Sequence, residues 1–197
     1  MLFESYGAGA DYVGPRVAEQ LHVPFHDQAF SSDQIEAAES AREKESLVTR
    51  VFTAMGTAHS SYEGGDVVTL QRDQHDLVTQ NTDMVLREAR AGGVIMGRNG
   101  ALILADHPGA LHVRLDGPVD VRVRRAAARS GIEEARAAKR QKREDQVRAQ
   151  MSLDLYEWDP RELDQYDLVV NTGRVDLDTC VEMIVAAAKV KHAAARR

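Results

Sequence analysis

The 197-residue chain has one cysteine, Cys180, so no disulfide can form within it and a reducing compartment suits it. A single cysteine cannot build a zinc site, and the seven histidines show no His-Glu-x-x-His spacing. No Ser-His-Asp set or Cys-His pair stands out for nucleophilic catalysis. Aromatic residues make up 5% of the chain, and Tyr156 and Trp158 read as packing or lid residues rather than base-stacking platforms. No apolar run approaches the roughly 20 residues that span a bilayer. The opening "MLFESYGAGA" lacks the basic start and apolar core of a secretory signal. These absences lead us to expect a cytoplasmic protein with no membrane partner.

What remains is the composition of a globular domain, 43% apolar and 28% charged, in a length that suits one domain. The net charge of −6 hides an asymmetry. Between Arg114 and Arg148 there are eleven basic and six acidic residues, so the rest of the chain is strongly acidic. A basic island in an acidic protein favours a compact anionic ligand, because a long nucleic acid would be repelled by the remaining surface.

The stretch Val94–Arg129 organises the rest. "VIM" (94–96) is a short apolar strand, and "GRNGALIL" (97–104) turns out of it past Arg98 and Asn99. "LHVRL" (111–115) is a second strand, and "DGPVDVRVRRAAAR" (116–129) a helix carrying Arg122, Arg124, Arg125 and Arg129. Such a device suits gripping phosphate; an ordinary turn beside a solvated basic helix is the alternative. At the N-terminus, a short strand (1–5) is followed by the glycine loop "YGAGADYVG" (6–14) and a helix from near Asp11, closed by Pro24. Strand, glycine loop and helix point backbone N–H groups at an anion. "FHD" (25–27) reads as a connection. Ser31 with Gln34 has capping-box spacing and predicts a polar helix to about Met55, then a loop (56–66) and a helix over 71–91 stopped by Gly92-Gly93. Ser130 with Glu133 predicts a second box and a new helix from Glu133 to about Met151, a hinged lid with its arginines on a solvated or anion-docking face. Asp145 and Arg148 lie on one face of that helix and could ion-pair. A last strand (167–171) and a helix capped by Asp176, buried through Val181, Ile184, Val185 and Ala188, complete the chain. Alternating short apolar strands and helices predict a parallel sheet covered on both faces. Ligands bind such sheets at the carboxyl ends of the strands, so the Gly7–Asp11 loop and Gly97-Arg98-Asn99 should share one crevice.

"YGAGADYVGPRVAEQLHVPFHD", "GGVIMGRNGALILADHPGALHVRLDGPVDVRVRR", Asp145 with Arg148, and "YDLVVNT" (166–172) together resemble the cytidylate kinase-like family. The likeness spans nearly the whole chain except the acidic stretch from about Phe30 to Gln74. It implies a single three-layer P-loop kinase-like α/β domain over 1–197, with a helical lid at about 130–158 and an acceptor-side helical insertion at about 30–75. It implies ATP-dependent phosphoryl transfer to a nucleoside monophosphate, CMP-like, or a related small phosphorylated acceptor, by a monomer or homodimer. A catalytically silent nucleotide-binding protein on the same fold is the other reading.

By position in the family, Gly7, Ala8, Gly9, Ala10, Asp11 and Tyr12 would hold the phosphates of ATP, with Mg²⁺ carried by the nucleotide, and Arg122 and Arg125 would border them. Arg98 would hold the acceptor phosphate beside Asn99, where cytidylate kinases carry Asp. Asp27, Asp145 and Arg148 would contact the acceptor. Arg98 and Arg148 would act on the transferring group, which needs positioning and charge neutralisation more than covalent chemistry. A working P-loop has a lysine and a Ser/Thr hydroxyl where this chain has Ala10 and Tyr12. An arginine of the lid, Arg140 or Arg143, would replace that lysine. The family keeps arginines around the loop; here Glu4 and Asp11 stand near it, and both oppose a triphosphate.

Overall fold

The computed structural model describes residues 1–28, 31–33, 35–36 and 67–195. The expected capping residue Gln34, the rest of the helix to Met55 and the loop at 56–66 lie outside the described residues, as does most of the expected insertion.

Among the described residues the strands are β1 (Leu2–Glu4), β2 (Phe25–His26), β3 (Val94–Ile95), β4 (Val113–Asp116) and β5 (Leu168–Asn171). The helices are α1 (Ala10–Leu21), α2 (Val67–Ala91), α3 (Gly100–Ile103), α4 (Val119–Ser130), α5 (Glu134–Tyr156) and α6 (Leu177–Ala195). All pairings are parallel: β1 with β4, β4 with β5, and β2 with β3. A parallel bridge from Leu2 to Met96, with Gly97 N–H donating to the Leu2 carbonyl, joins the two groups in the order β2-β3-β1-β4-β5.

Alternation along the strands decides which face each residue serves. Leu2, Val113, Leu115 and Val170 face α1 and α6, packing on Val13, Val17, Val181 and Ile184 in the main core. Glu4 shares that parity with Leu2, which aims its carboxylate at the start of α1. Phe3 and Arg114 stand opposite each other in register with Val169 on the other face. There Phe3 and Tyr166 approach at 6.0 Å between ring centroids, and Trp158 meets Tyr166 at 6.3 Å. Burial pushes the Tyr166 hydroxyl well above the usual phenol range, so it stays neutral and donates to the Pro160 carbonyl at 3.0 Å.

Several local expectations change. Phe25–His26 is a strand rather than a connection, because Val94 and Met96 donate to the Pro24 and His26 carbonyls. The 97–104 turn contains the short helix α3. Helix α1 ends before Pro24, at Leu21, where His22 turns left-handed at φ 55° and donates back to the helix carbonyls. Ser130 does not open a capping box: it is the last residue of α4, Gly131 (φ 63°) terminates that helix, and Glu133 precedes α5 without a side-chain cap. Helix α5 runs on past Met151 to Tyr156. Asp176 does cap α6, accepting the Thr179 N–H at 2.9 Å.

Candidate functional site

The loop between β1 and α1 depends on glycine at two positions. Gly7 (φ 76°) and Gly9 (φ 101°) are left-handed; a Cβ at Gly7 would stand 2.4 Å from the Arg122 carbonyl oxygen, and one at Gly9 2.8 Å from the Leu177 side chain. The turn they make brings the Gly9 and Ala10 amides together at the N-terminus of α1, an anion-holding arrangement. The anion there is internal: Glu4 Oε2 accepts from Gly9 N–H at 3.1 Å and Ala10 N–H at 2.9 Å. A second carboxylate, Asp145, accepts the Tyr6 N–H at 2.8 Å, and the Ala8 N–H closes onto the Ser5 carbonyl. Four loop amides are thus met from within the chain.

Arginines then hold the loop from outside. Arg122, buried, donates to the carbonyls of Tyr6 and Gly117 and pairs with Asp145 at 3.0 Å. Arg125 donates to the carbonyls of Gly7, Ala8 and Thr172 and to the Thr172 hydroxyl. Both converge on the loop as the sequence leads one to expect, but they grip its carbonyls. Asp11 turns outward to Arg129 at 2.6 Å, and the Tyr12 hydroxyl donates to Asp178 on α6. Arg148 donates to the Glu4 carbonyl and to Gln28, and pairs with Glu144 at 2.8 Å. The expected Asp145–Arg148 pair does not form, because Arg122 claims the first and Glu144 the second. Arg140 is buried rather than on a solvated face, paired with Asp33 and Glu36. Arg143 is half-buried on the same helix.

On the other side of β1, Arg98 and Asn99 take successive left-handed conformations after β3, at φ 58° and 55°. The Arg98 guanidinium donates twice to the Asp27 carbonyl and pairs with Glu88 at 2.9 Å. Asp27 therefore meets Arg98 through its main chain. Arg98 and Asn99 edge a cavity of about 130 Å³ at the carboxyl ends of β1 and β3, between α2 and α5. Its walls include Ile35, Leu77, Val147 and Met151, and its polar groups include Asn81, Asn99, Ser152 and Arg148. Asn81 donates to the Arg98 carbonyl and to the Tyr156 hydroxyl, fixing the turn to α5. Glu4, Gln28, Asn81 and Ser152 are polar lining residues that the sequence did not single out for this crevice, and its apolar walls were not singled out either. Only Glu4 carried a signal, as an acid beside the loop.

The cytidylate kinase-like family pattern matches residues 2–174. The chain belongs to the cytidylate kinase-like family. The chain is similar to a cytidylate kinase of Methanopyrus kandleri, 32% identical over 108 residues, covering 50% of this chain and 56% of that protein. It is also similar to a uronate isomerase of Corynebacterium glutamicum, 39% identical over 109 residues, covering 55% of this chain but 21% of that protein. The chain therefore spans only part of either relative. An uncharacterized protein from Eubacterium ventriosum shares the fold, with a TM-score of 0.62 at 20% identity over 95% of this chain and 96% of that one.

Family members of this fold use a nucleotide, and the loop is where its phosphates would lie. The residues present do not fit a triphosphate. The Gly9 and Ala10 amides are filled by Glu4, no lysine or small hydroxyl replaces Ala10 and Tyr12, and the adjacent arginines are spent on carbonyls and carboxylates.

Proposed function

We propose that the chain is a nucleotide-binding member of its family that holds a phosphorylated nucleoside, CMP-like, in the crevice between α2 and α5 without transferring phosphate from ATP. The observation that supports it best is the pairing of an apolar crevice, edged by Asn99 and Arg148, with a neighbouring loop whose amides are met by Glu4. The apolar walls suit a flat ring, the Asn81 Oδ1 can accept and the Asn99 Nδ2 can donate at its edge, and Arg148 stands at the mouth as the cation for a phosphate. ATP-dependent transfer to the same acceptor, which the resemblance implies, needs a donor loop open to a triphosphate.

Calorimetric titration with a panel of nucleoside monophosphates, alongside γ-labelled ATP, tests this. We expect CMP or a related monophosphate to bind, Arg148→Ala to weaken it about tenfold, and no labelled product with any acceptor. Labelled monophosphate acceptor at wild-type Glu4 would refute the silent reading and leave the kinase one.

A further inference from the structure

We infer that Glu4 is the resident anion of the Gly7–Tyr12 loop: its carboxylate stands where a polyphosphate would, and the backbone beneath it can hold polyphosphate once that carboxylate is removed. The inference takes the loop's place in the family frame from the reading above but does not depend on what the crevice binds.

The loop has kept the shape that anion binding requires. Its left-handed glycines sit where a side chain would strike Arg122 or Leu177, and the amides of Gly9 and Ala10 point at one oxygen. That oxygen is delivered rigidly. Glu4 ends β1, its main chain is in register with Leu115 of β4, and it is 9% exposed. A carboxylate fixed on the same frame as the loop competes at an effective concentration that a free ligand must overcome.

Charge reinforces the exclusion. A phosphate approaching these amides meets Glu4 first, with Asp11 and Glu144 close enough to act on it. Among the described residues the nearest cation, Arg148, is 3.9 Å from Glu4 Oε1 and already paired with Glu144. Removing the Glu4 carboxylate alone changes this balance: two amides lose their acceptor, Arg148 loses the opposite charge 3.9 Å away, and the negative charge at the helix start disappears.

Inorganic tripolyphosphate, titrated calorimetrically and by thermal shift into the whole chain, tests the inference with wild type, Glu4→Ala and Glu4→Gln. We expect Glu4→Ala to melt lower than wild type, to bind tripolyphosphate at least about tenfold more tightly, and to recover melting temperature on binding. Glu4→Gln, which keeps an acceptor oxygen without the charge, should fall between them and serves if Glu4→Ala does not fold. A folded variant that melts lower but binds no more tightly than wild type would reduce Glu4 to a helix cap and overturn the inference. Equally tight binding by wild type would overturn it too. CMP titrated into the same samples reports on the crevice separately, so failure there is distinguishable from failure here.

Discussion

Glu4 is held by opposing forces that set its protonation. Burial pushes its carboxyl up to about 6, against the Arg148 charge and the Ala10 N–H that favour the anion; Asp11 and Glu144 add to the rise. A carboxyl whose folded pKa exceeds its unfolded value gives stability that is fully present below the unfolded pKa and lost as pH rises through the folded one. Wild type should therefore gain on Glu4→Gln by about 2 kcal/mol as pH falls from 7.5 to 4.5, read from urea unfolding at each pH. A constant difference across that window would contradict the burial of this group. Glu36 works the other way: hydrogen bonds from Arg136 and Arg140 hold it at about 2, so its contribution is lost as pH falls below 4.5 towards 2. Arg125 is a structural clamp, and Arg125→Ala should cost about 1.5–3 kcal/mol in the same unfolding experiment, having released the Gly7, Ala8 and Thr172 carbonyls. That Glu4 and Asp11 stand near the loop was legible in the sequence. Which of them enters it was not, because strand parity and the β1–β4 register decide that Glu4 points in while Arg129 draws Asp11 out.

At the scale of elements, regular features could be read and their terminations less so. The glycine loop leading into α1, the Gly92 stop and the Asp176 cap follow from local chemistry. The box expected at Ser130 fails because Gly131 turns left-handed and lets α4 run through Ser130. The two-residue strand at Phe25–His26 has no internal pattern; it exists because Val94 and Met96 bond to it. Arg98 likewise was legible as a cation past a glycine, but its commitment to Asp27 and Glu88 needs α2 and the end of β2 beside the turn. Arg98→Ala therefore loosens that corner of the crevice as well as removing a charge. The loop is the element most sensitive to its glycines: Gly9→Ala should lose about 1–3 kcal/mol, since φ 101° and the Leu177 side chain both resist a Cβ. A melting temperature unchanged in that variant would mean the loop conformation is not fixed as described.

Over the whole molecule, the parallel order β2-β3-β1-β4-β5 places the loop and the Arg98 turn at the same ends of neighbouring strands, as the alternation of strands and helices predicts. The core beneath them is continuous, with Leu115 fully buried between α1 and α6. Leu115→Ala should cost about 2–5 kcal/mol, measured by denaturant unfolding. The same frame therefore carries an open crevice beside Arg98 and Arg148 and a glycine loop that its own strand has filled. A crystal structure of the wild-type protein grown with CMP and a non-hydrolysable ATP analogue tests this most directly. CMP is expected in the crevice, with the Glu4 carboxylate still on the Gly9 and Ala10 amides. Triphosphate density on those amides, with Glu4 swung aside, would contradict it.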